Sequence, residues 1–184
     1  MVHVPKRFHL DAEAEKHEYD KHDNCVDDKG YRRFLGRMFD PLKEKLAKLP
    51  QSSHGLDFGC GPGPALAQMF RAEGHKVELY DHFYFPNREI FKISYDFISA
   101  TEVVEHLSQP RQELERLWQC LKTGGLFGVM TKRVRDLEAF RRWHYKNDPT
   151  HICFFDDRSF EYLADQWQCQ LELCGPDTLI FTKL

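Results

Sequence analysis

The sequence predicts an α/β fold built on a mostly parallel sheet, and three observations carry that reading. From residue 54 onward, apolar runs of strand length alternate with segments whose apolar residues recur at helical spacing. The first strand, over residues 54–58, ends in the alternating glycines Gly59, Gly61 and Gly63, and a helical pattern follows it. The second strand, over residues 76–81, closes on an acidic residue, Asp81.

Ahead of the sheet, residues 1–50 are polar and helical in character. Asp11 stands where an N-cap belongs, before a helix through Ala14, Glu18 and Tyr19. Tyr31, Phe34, Leu35 and Met38 recur at helical spacing. Asp40-Pro41 reads as a cap and first-turn proline that restart a helix through Leu42, Leu46 and Leu49. Pro50-Gln51-Ser52-Ser53 is the connector, so residues 1–50 are expected to form a helical lid or extension, and residues 51–184 the main domain.

Within the main domain, a helix over residues 64–73 opens at Pro64 and stops at Gly74. Residues 95–100 form a buried strand, and residues 101–107 leave its end. Ser108 caps a helix whose Leu114, Leu117, Trp118 and Leu121 share one face; Thr123-Gly124-Gly125 ends it. Another strand covers residues 126–131, then a helix over residues 136–145 buries Leu137 and Phe140. Ser159 caps a helix carrying Phe160, Leu163, Ala164 and Trp167. Two final strands, residues 169–173 and 178–182, turn through Gly175-Pro176-Asp177, which predicts an antiparallel strand at the sheet edge.

Composition bounds the function. The 184 residues suffice for one domain with a proper core, with 41% hydrophobic and 30% charged residues. A net charge of −3 argues against a chain whose main task is gripping a nucleic-acid backbone. No apolar run approaches a membrane span, and no apolar signal core follows the first residues. The six cysteines form no C-x-x-C pair, so free thiols in a reducing cytoplasm are expected.

In an open α/β sheet, ligands sit beyond the carboxyl ends of the strands. The run Leu56-Asp57-Phe58-Gly59-Cys60-Gly61-Pro62-Gly63 lies there, as D-x-G-x-G-x-G. The dinucleotide pattern G-x-G-x-x-G is absent, which weighs against an oxidoreductase. Asp57 can accept hydrogen bonds from a cationic amine or orient the loop, and Asp81 can bind both hydroxyls of a ribose.

These residues resemble class I S-adenosylmethionine-dependent methyltransferases over roughly residues 54–184. The family's first motif matches Leu56–Gly63 and its next acidic position matches Asp81. Its later motifs match residues 95–107 and 121–126. The resemblance is closest to the small-molecule branch that includes ubiquinone-biosynthesis O-methyltransferases. It implies a Rossmann-like three-layer sandwich whose seven-stranded sheet is mostly parallel with the last strand antiparallel. It also implies S-adenosylmethionine as cofactor and S-adenosylhomocysteine as product. One departure stands out. Between Asp81 and Tyr95 the family usually places a helix, a strand and another helix; here only residues 82–94 are available, so that edge is abbreviated. His82 and Phe83 can pack on the adenine there. The resemblance also places Tyr19 and His22 near the cofactor, with Phe58, Cys60, Thr101 and Glu102 lining it.

Methyl transfer from a sulfonium is an in-line displacement, in which alignment does much of the work and a base helps when the acceptor is a hydroxyl. Glu102, Glu105 and His106 form an E-x-x-E-H set after the third strand of this sheet, on one face if the segment is helical. His106 is the candidate general base, with Glu105 capping the helix or orienting it, and His151 as a third member. The same pattern resembles small-RNA 2′-O-methyltransferases, in which such a set plus a later histidine holds a divalent metal. Glu102, Glu105, His106 and His151 are the ligands that reading would use; the metal-free reading is preferred. Trp143 and Tyr145 can stack on an aromatic acceptor, and Arg142, with Arg141 and Lys146, can hold an anionic one. A small-molecule acceptor with O- or C-methylation is therefore the favoured reading. The alternatives are a metal-dependent RNA methyltransferase and a catalytically silent cofactor-binding module; a silent module is expected to have lost Glu105 or His106, and both are present.

Overall fold

The computed structural model of the chain describes residues 1–21, 25–49 and 52–184. A short strand β1 (Val2–His3) leads to helix α1 (Ala12–Tyr19), capped by Asp11 as expected: its carboxylate accepts the Ala14 N–H at 2.9 Å. Helix α2 (Lys29–Leu46) follows, capped by Asp28. It runs straight through Pro41 instead of restarting there. Leu35, Met38, Phe39, Leu42 and Leu46 keep one buried stripe in phase across the proline, and their burial outweighs one missing backbone bond.

The main sheet then forms from β2 (His54–Phe58), helix α3 (Ala65–Ala72), β3 (Lys76–Tyr80), β4 (Tyr95–Thr101), helix α4 (Pro110–Gln119) and β5 (Leu121–Met130). A short helix α5 (Leu137–Arg141), β6 (Cys153–Phe154), helix α6 (Asp157–Trp167), β7 (Gln170–Leu173) and β8 (Thr178–Thr182) complete it. The strand order is β3-β2-β4-β5-β8-β7. β3, β2, β4 and β5 run parallel, while β8 is antiparallel to both β5 and β7. β1 and β6 pair separately, antiparallel.

This is the Rossmann-like three-layer arrangement. Side chains that alternate along each strand feed opposite layers. Phe97, Leu126 and Ile180 pack with α2 and α3, whereas Ile98, Phe127 and Phe181 pack with α4 and α6. Among the described residues the sheet has six strands, not the expected seven. The missing one belongs to the abbreviated edge, where residues 82–94 hold an Asp81–Phe85 bridge and a 3₁₀ turn, Arg88–Lys92. The antiparallel last strand is present, but inside the sheet: the hairpin puts β7, not β8, at the edge.

Further local expectations change, and Gln109, not Ser108, stands at the N-cap of α4. β5 starts at Leu121, because Gly124 and Gly125 pair with Lys183 and are drawn into the sheet. The helix expected over residues 136–145 shrinks to α5, with Leu137 63% exposed and Phe140 half-buried, and a 3₁₀ turn, His144–Asn147, follows. Asp156, not Ser159, caps α6; Ser159 is its partner in a capping box. Within residues 1–50, α2 is built into the core of one sheet face. Among the described residues, no helix is long and apolar enough to cross a membrane.

Candidate active site

The parallel strands β2, β3, β4 and β5 all end on one side, and the glycine loop leaves β2 there. Gly59 and Gly61 have positive φ, 71° and 61°. A Cβ on Gly59 would lie 2.3 Å from Val103 Cγ2, so glycine lets the loop press against the chain leaving β4. The Gly59 N–H donates to the Tyr80 carbonyl at 2.7 Å, tying the loop to the end of β3. Asp81 completes the tie. Its Oδ2 accepts the Gly61 N–H at 3.0 Å, and its Oδ1 accepts the N–H groups of Phe83 and Tyr84 at 2.9 and 3.1 Å.

Asp57 is fully enclosed behind this loop. It accepts the Ser99 hydroxyl at 3.0 Å and the Ala67 N–H in the first turn of α3. Burial pushes its carboxyl up to about 6 against those two bonds. Of the two roles open to Asp57, the contacts describe an anchor for the loop and helix. Phe58 stacks on Tyr80 in the core, ring centroids 5.4 Å apart, so only its backbone faces the loop. Burial pushes the Cys60 thiol up, and its Sγ points to the Gly61 carbonyl. The Gly63 carbonyl accepts the Ala65 N–H at the entry to α3.

The segment after β4 builds the other half. Thr101 ends the strand, its hydroxyl buried without a hydrogen-bond partner. Glu102 takes φ of 52°, a backbone setting that costs a non-glycine residue about 1 kcal/mol. Val104–His106 then form a 3₁₀ turn that buries Glu105 completely. The phenol of Tyr145 donates to Glu105 Oε1 and lies 3.5 Å from Glu102 Oε2. Glu105 Oε2 and Glu102 Oε1 are buried with no hydrogen-bond partner. Burial and the facing Glu105 raise the Glu102 carboxyl to about 8, against the Lys132 ammonium. Burial raises Glu105 as well, and burial with both glutamates pushes the Tyr145 phenol far up.

His106 and His151 stand beside this pair. His106 Nδ1–H donates to the Thr150 carbonyl at 3.0 Å, and His151 Nδ1–H donates to the Tyr145 carbonyl at 2.7 Å. Their ring centroids are 4.8 Å apart. Burial and the neighbouring His106 lower the His151 pKa. Tyr19, on α1, packs edge-on to His106 at 5.3 Å and against Phe83 at 5.7 Å, so it reaches across both halves of the site. The next residue, Asp20, accepts the Tyr84 hydroxyl at 2.6 Å.

Of the residues expected from sequence, Glu105, His106, Tyr145 and His151 meet, with Glu102 and Tyr19 against them. His82 and Arg142 are exposed. Arg141 is paired with Glu138, and Lys146 with the Arg141 carbonyl. Trp143 is half-buried among Phe140, Tyr145 and Phe154, and packs within its own loop. Tyr145, expected as a stacking surface, is buried and spends its hydroxyl on Glu105. His22 lies outside the described residues. Sequence reasoning did not single out Lys132, Arg37 or Asp177, whose charges bear on Glu102. Lys132 lies two residues after β5, and Asp177 precedes the antiparallel β8, so both fall at the ligand end of the sheet. The topology rule finds them; for Arg37, on α2, no local signal exists.

A donor loop, a matched acid after the neighbouring strand and a carboxylate–imidazole set facing them define an S-adenosylmethionine-dependent methyltransferase. The chain belongs to the family described as "Methyltransferase domain", whose family model matches residues 30–173. No curated protein sequence matches it. Among solved structures it is similar to a 1,6-didemethyltoxoflavin-N1-methyltransferase of Burkholderia thailandensis, bound to its substrate and S-adenosylhomocysteine. The TM-score is 0.61 at 15% identity, covering 98% of this chain and 92% of that one. An O-methyltransferase family protein of the same organism matches at TM-score 0.61 and 15% identity, over 96% of this chain and 61% of that one. A SAM-dependent methyltransferase of Archaeoglobus fulgidus matches at 0.57 and 15%, over 83% and 99%. These likenesses show the fold. The chain is an enzyme of this class, and S-adenosylmethionine is its methyl donor.

Proposed function

We propose that the enzyme methylates a hydroxyl, or an activated carbon, of a small molecule, in the manner of the ubiquinone-biosynthesis O-methyltransferase branch. The observation that carries this is the setting of His106. Its Nδ1–H is spent on the Thr150 carbonyl, which sets the tautomer of the neutral ring with its lone pair on Nε2. An imidazole held in that tautomer can take the proton of an acceptor hydroxyl as oxygen attacks the methyl carbon and the sulfonium leaves as a thioether. The Glu105 carboxyl, raised by burial, lies beside the ring on which the imidazolium forms. Gly59, Gly61, Gly63 and Asp81 hold the donor, with Asp57 anchoring their loop. The net charge of −3 supports a small acceptor over a nucleic-acid backbone. The free cysteines fit a cytoplasmic setting.

The cover of the site is α1, with Tyr19 across the two halves and the Asp20–Tyr84 bond as its latch. In this reading the lid is the stretch before α2, and α2 belongs with the main domain. Excluding water there favours transfer over hydrolysis of the donor.

The test is transfer of a labelled methyl group from S-adenosylmethionine to panels of small phenols and hydroxy acids, small amines, and short RNA. Label on hydroxyl compounds, lost in His106→Gln with S-adenosylhomocysteine affinity kept, supports the reading. Label appearing on amines or RNA alone, or a His106→Gln variant at full rate, overturns it.

A further inference from the structure

We propose that Lys132 is the anchor for an anionic oxygen group, a carboxylate or a phosphate ester, on the small-molecule acceptor. The inference rests on the small-molecule reading above and deepens it, by naming what the acceptor carries besides the atom that is methylated.

The Lys132 ammonium lacks an oxygen. The residue is half-buried, two residues after β5, and its Nζ lies over the Tyr145 ring, 4.9 Å from the centroid. Every other half-buried lysine among the described residues donates to an oxygen. Lys16 reaches Asp20, Lys45 reaches Glu172, Lys146 the Arg141 carbonyl, and Lys183 the carbonyls of Trp118 and Leu121. Among the described residues, Lys132 has neither a hydrogen bond nor an ion pair. Glu102 feels its charge but makes no ion pair with it. A ring face attracts an ammonium without accepting its N–H groups as an oxygen would. A charge drawn part-way out of water without such a partner is costly, and an anion bound there removes the cost.

Lys132 stands on the acceptor half of the site. In the order β3-β2-β4-β5, β5 lies two strands from β2, so about 10 Å separate it from the strand that bears the donor loop. The ring under the ammonium belongs to Tyr145, whose hydroxyl is bonded to Glu105, the neighbour of the proposed base.

The charge around Lys132 is of one sign. Residues 132–146 hold six lysines and arginines against two acids, in a chain whose net charge is −3. Two nearby cations are already spent on aspartates: Arg133 pairs with Asp157, and Arg37, whose charge also bears on Glu102, pairs with Asp177. Arg135 and Arg142 are exposed. Exposed cations draw an anion toward the site from solution, and Lys132 remains to hold it. A lysine binds as a point charge, without the paired geometry of an arginine, so a carboxylate and a phosphate ester both fit.

The full chain, saturated with S-adenosylhomocysteine, is titrated by calorimetry with hydroxyphenylacetates, their amides, and hydroxybenzyl phosphates. An anionic member is expected to bind at least tenfold more tightly than its amide, about what one charge-assisted hydrogen bond supplies. Preference for the acids or for the phosphates names the group. Lys132→Met and Lys132→Gln should each remove the preference, and Lys132→Arg should restore part of it. S-adenosylhomocysteine affinity should be unchanged in all three, and thermal melting checks that they are folded. Lys122→Gln, at the opposite end of β5, should match the wild type. No anion bound more tightly than its amide, or a preference that survives in both Lys132→Met and Lys132→Gln, overturns the proposal. So does a loss of S-adenosylhomocysteine affinity in the folded variants, which would assign the lysine to the donor's own carboxylate. Short RNA bound through Lys132 in place of the small anions overturns it as well. The readout is binding, so it does not pass through His106: methyl transfer to amines alone would end the hydroxyl reading and leave this anchor standing.

Discussion

Tyr145 holds Glu105 in the interior of the protein: its phenol donates to one oxygen of a carboxylate with no exposed surface. The two residues come from the turn after β4 and from the 3₁₀ turn His144–Asn147, so the bond ties the acceptor loop to the sheet. A hydrogen bond to a charged or strongly polar buried partner is worth about 1.5–3 kcal/mol. Tyr145→Phe keeps the ring, and with it the packing on His151. Its unfolding free energy in urea should therefore fall by about 1.5–3 kcal/mol with an unchanged slope. A phenol serving as an open stacking surface would give a change near zero.

Gly59 is the tightest point of the donor loop. Alanine there meets two penalties: a positive φ, and a methyl group driven into Val103. The backbone setting alone costs about 1 kcal/mol, and Val103 must move besides. Gly59→Ala should bind S-adenosylhomocysteine at least tenfold more weakly by calorimetry and melt at a lower temperature. Gly74→Ala is the control. It shares the positive φ, at 89°, but has nothing within 4 Å of the added methyl, so its donor affinity should be unchanged. Equal falls in melting temperature in both variants would mean that the backbone setting, not the contact with Val103, sets the cost of the added methyl at Gly59.

The donor half was legible in the sequence because it is local. Strand, glycine loop and the acid after the next strand follow one another along the chain, and each has a composition that its geometry demands. The acceptor half is different. Glu105 and His106 were visible as a short motif, but their partners Tyr145, Thr150 and His151 arrive from a loop whose path follows no periodicity. Trp143, Tyr145 and Arg142 look alike in sequence as functional side chains. Folding buries one, tucks one into its own loop and leaves one in solvent. The missing seventh strand was readable as a shortfall of residues, whereas the internal place of β8 depends on pairing across the hairpin.

Asp81 spends its carboxylate on the protein before any donor arrives. It accepts three backbone N–H groups, from Gly61, Phe83 and Tyr84. A carboxylate has about four acceptor positions, so it retains capacity for a ribose hydroxyl. Asp81→Asn can accept through one oxygen only and turns a donor toward one of the N–H groups. Asp81→Asn should therefore weaken S-adenosylhomocysteine binding by at least tenfold and also lower stability of the empty protein. A variant with weaker binding but unchanged stability would show that the loop is held by other bonds. Unchanged affinity would remove Asp81 from the donor site.

Asp57 gives the chain a pH signature in its stability. Its carboxyl sits at about 6 in the folded protein, raised chiefly by burial, against about 3.9 in an unfolded chain. Between these values the folded state binds the proton and the unfolded state does not. Stability from this group therefore falls as pH rises from about 4 to 6 and is level above that. The shift of roughly two pH units corresponds to about 2–3 kcal/mol of cost at neutral pH. Asp57→Asn does not titrate, yet it can keep an oxygen facing the Ser99 hydroxyl and the Ala67 N–H. The difference in unfolding free energy between the Asn variant and the wild type should move by about 2–3 kcal/mol in favour of Asn between pH 4 and pH 7.5. Urea unfolding at both pH values measures it. A difference that stays constant would mean that Asp57 ionises as freely in the folded protein as in the unfolded chain, and that its bonds to Ser99 and Ala67 offset its burial in full.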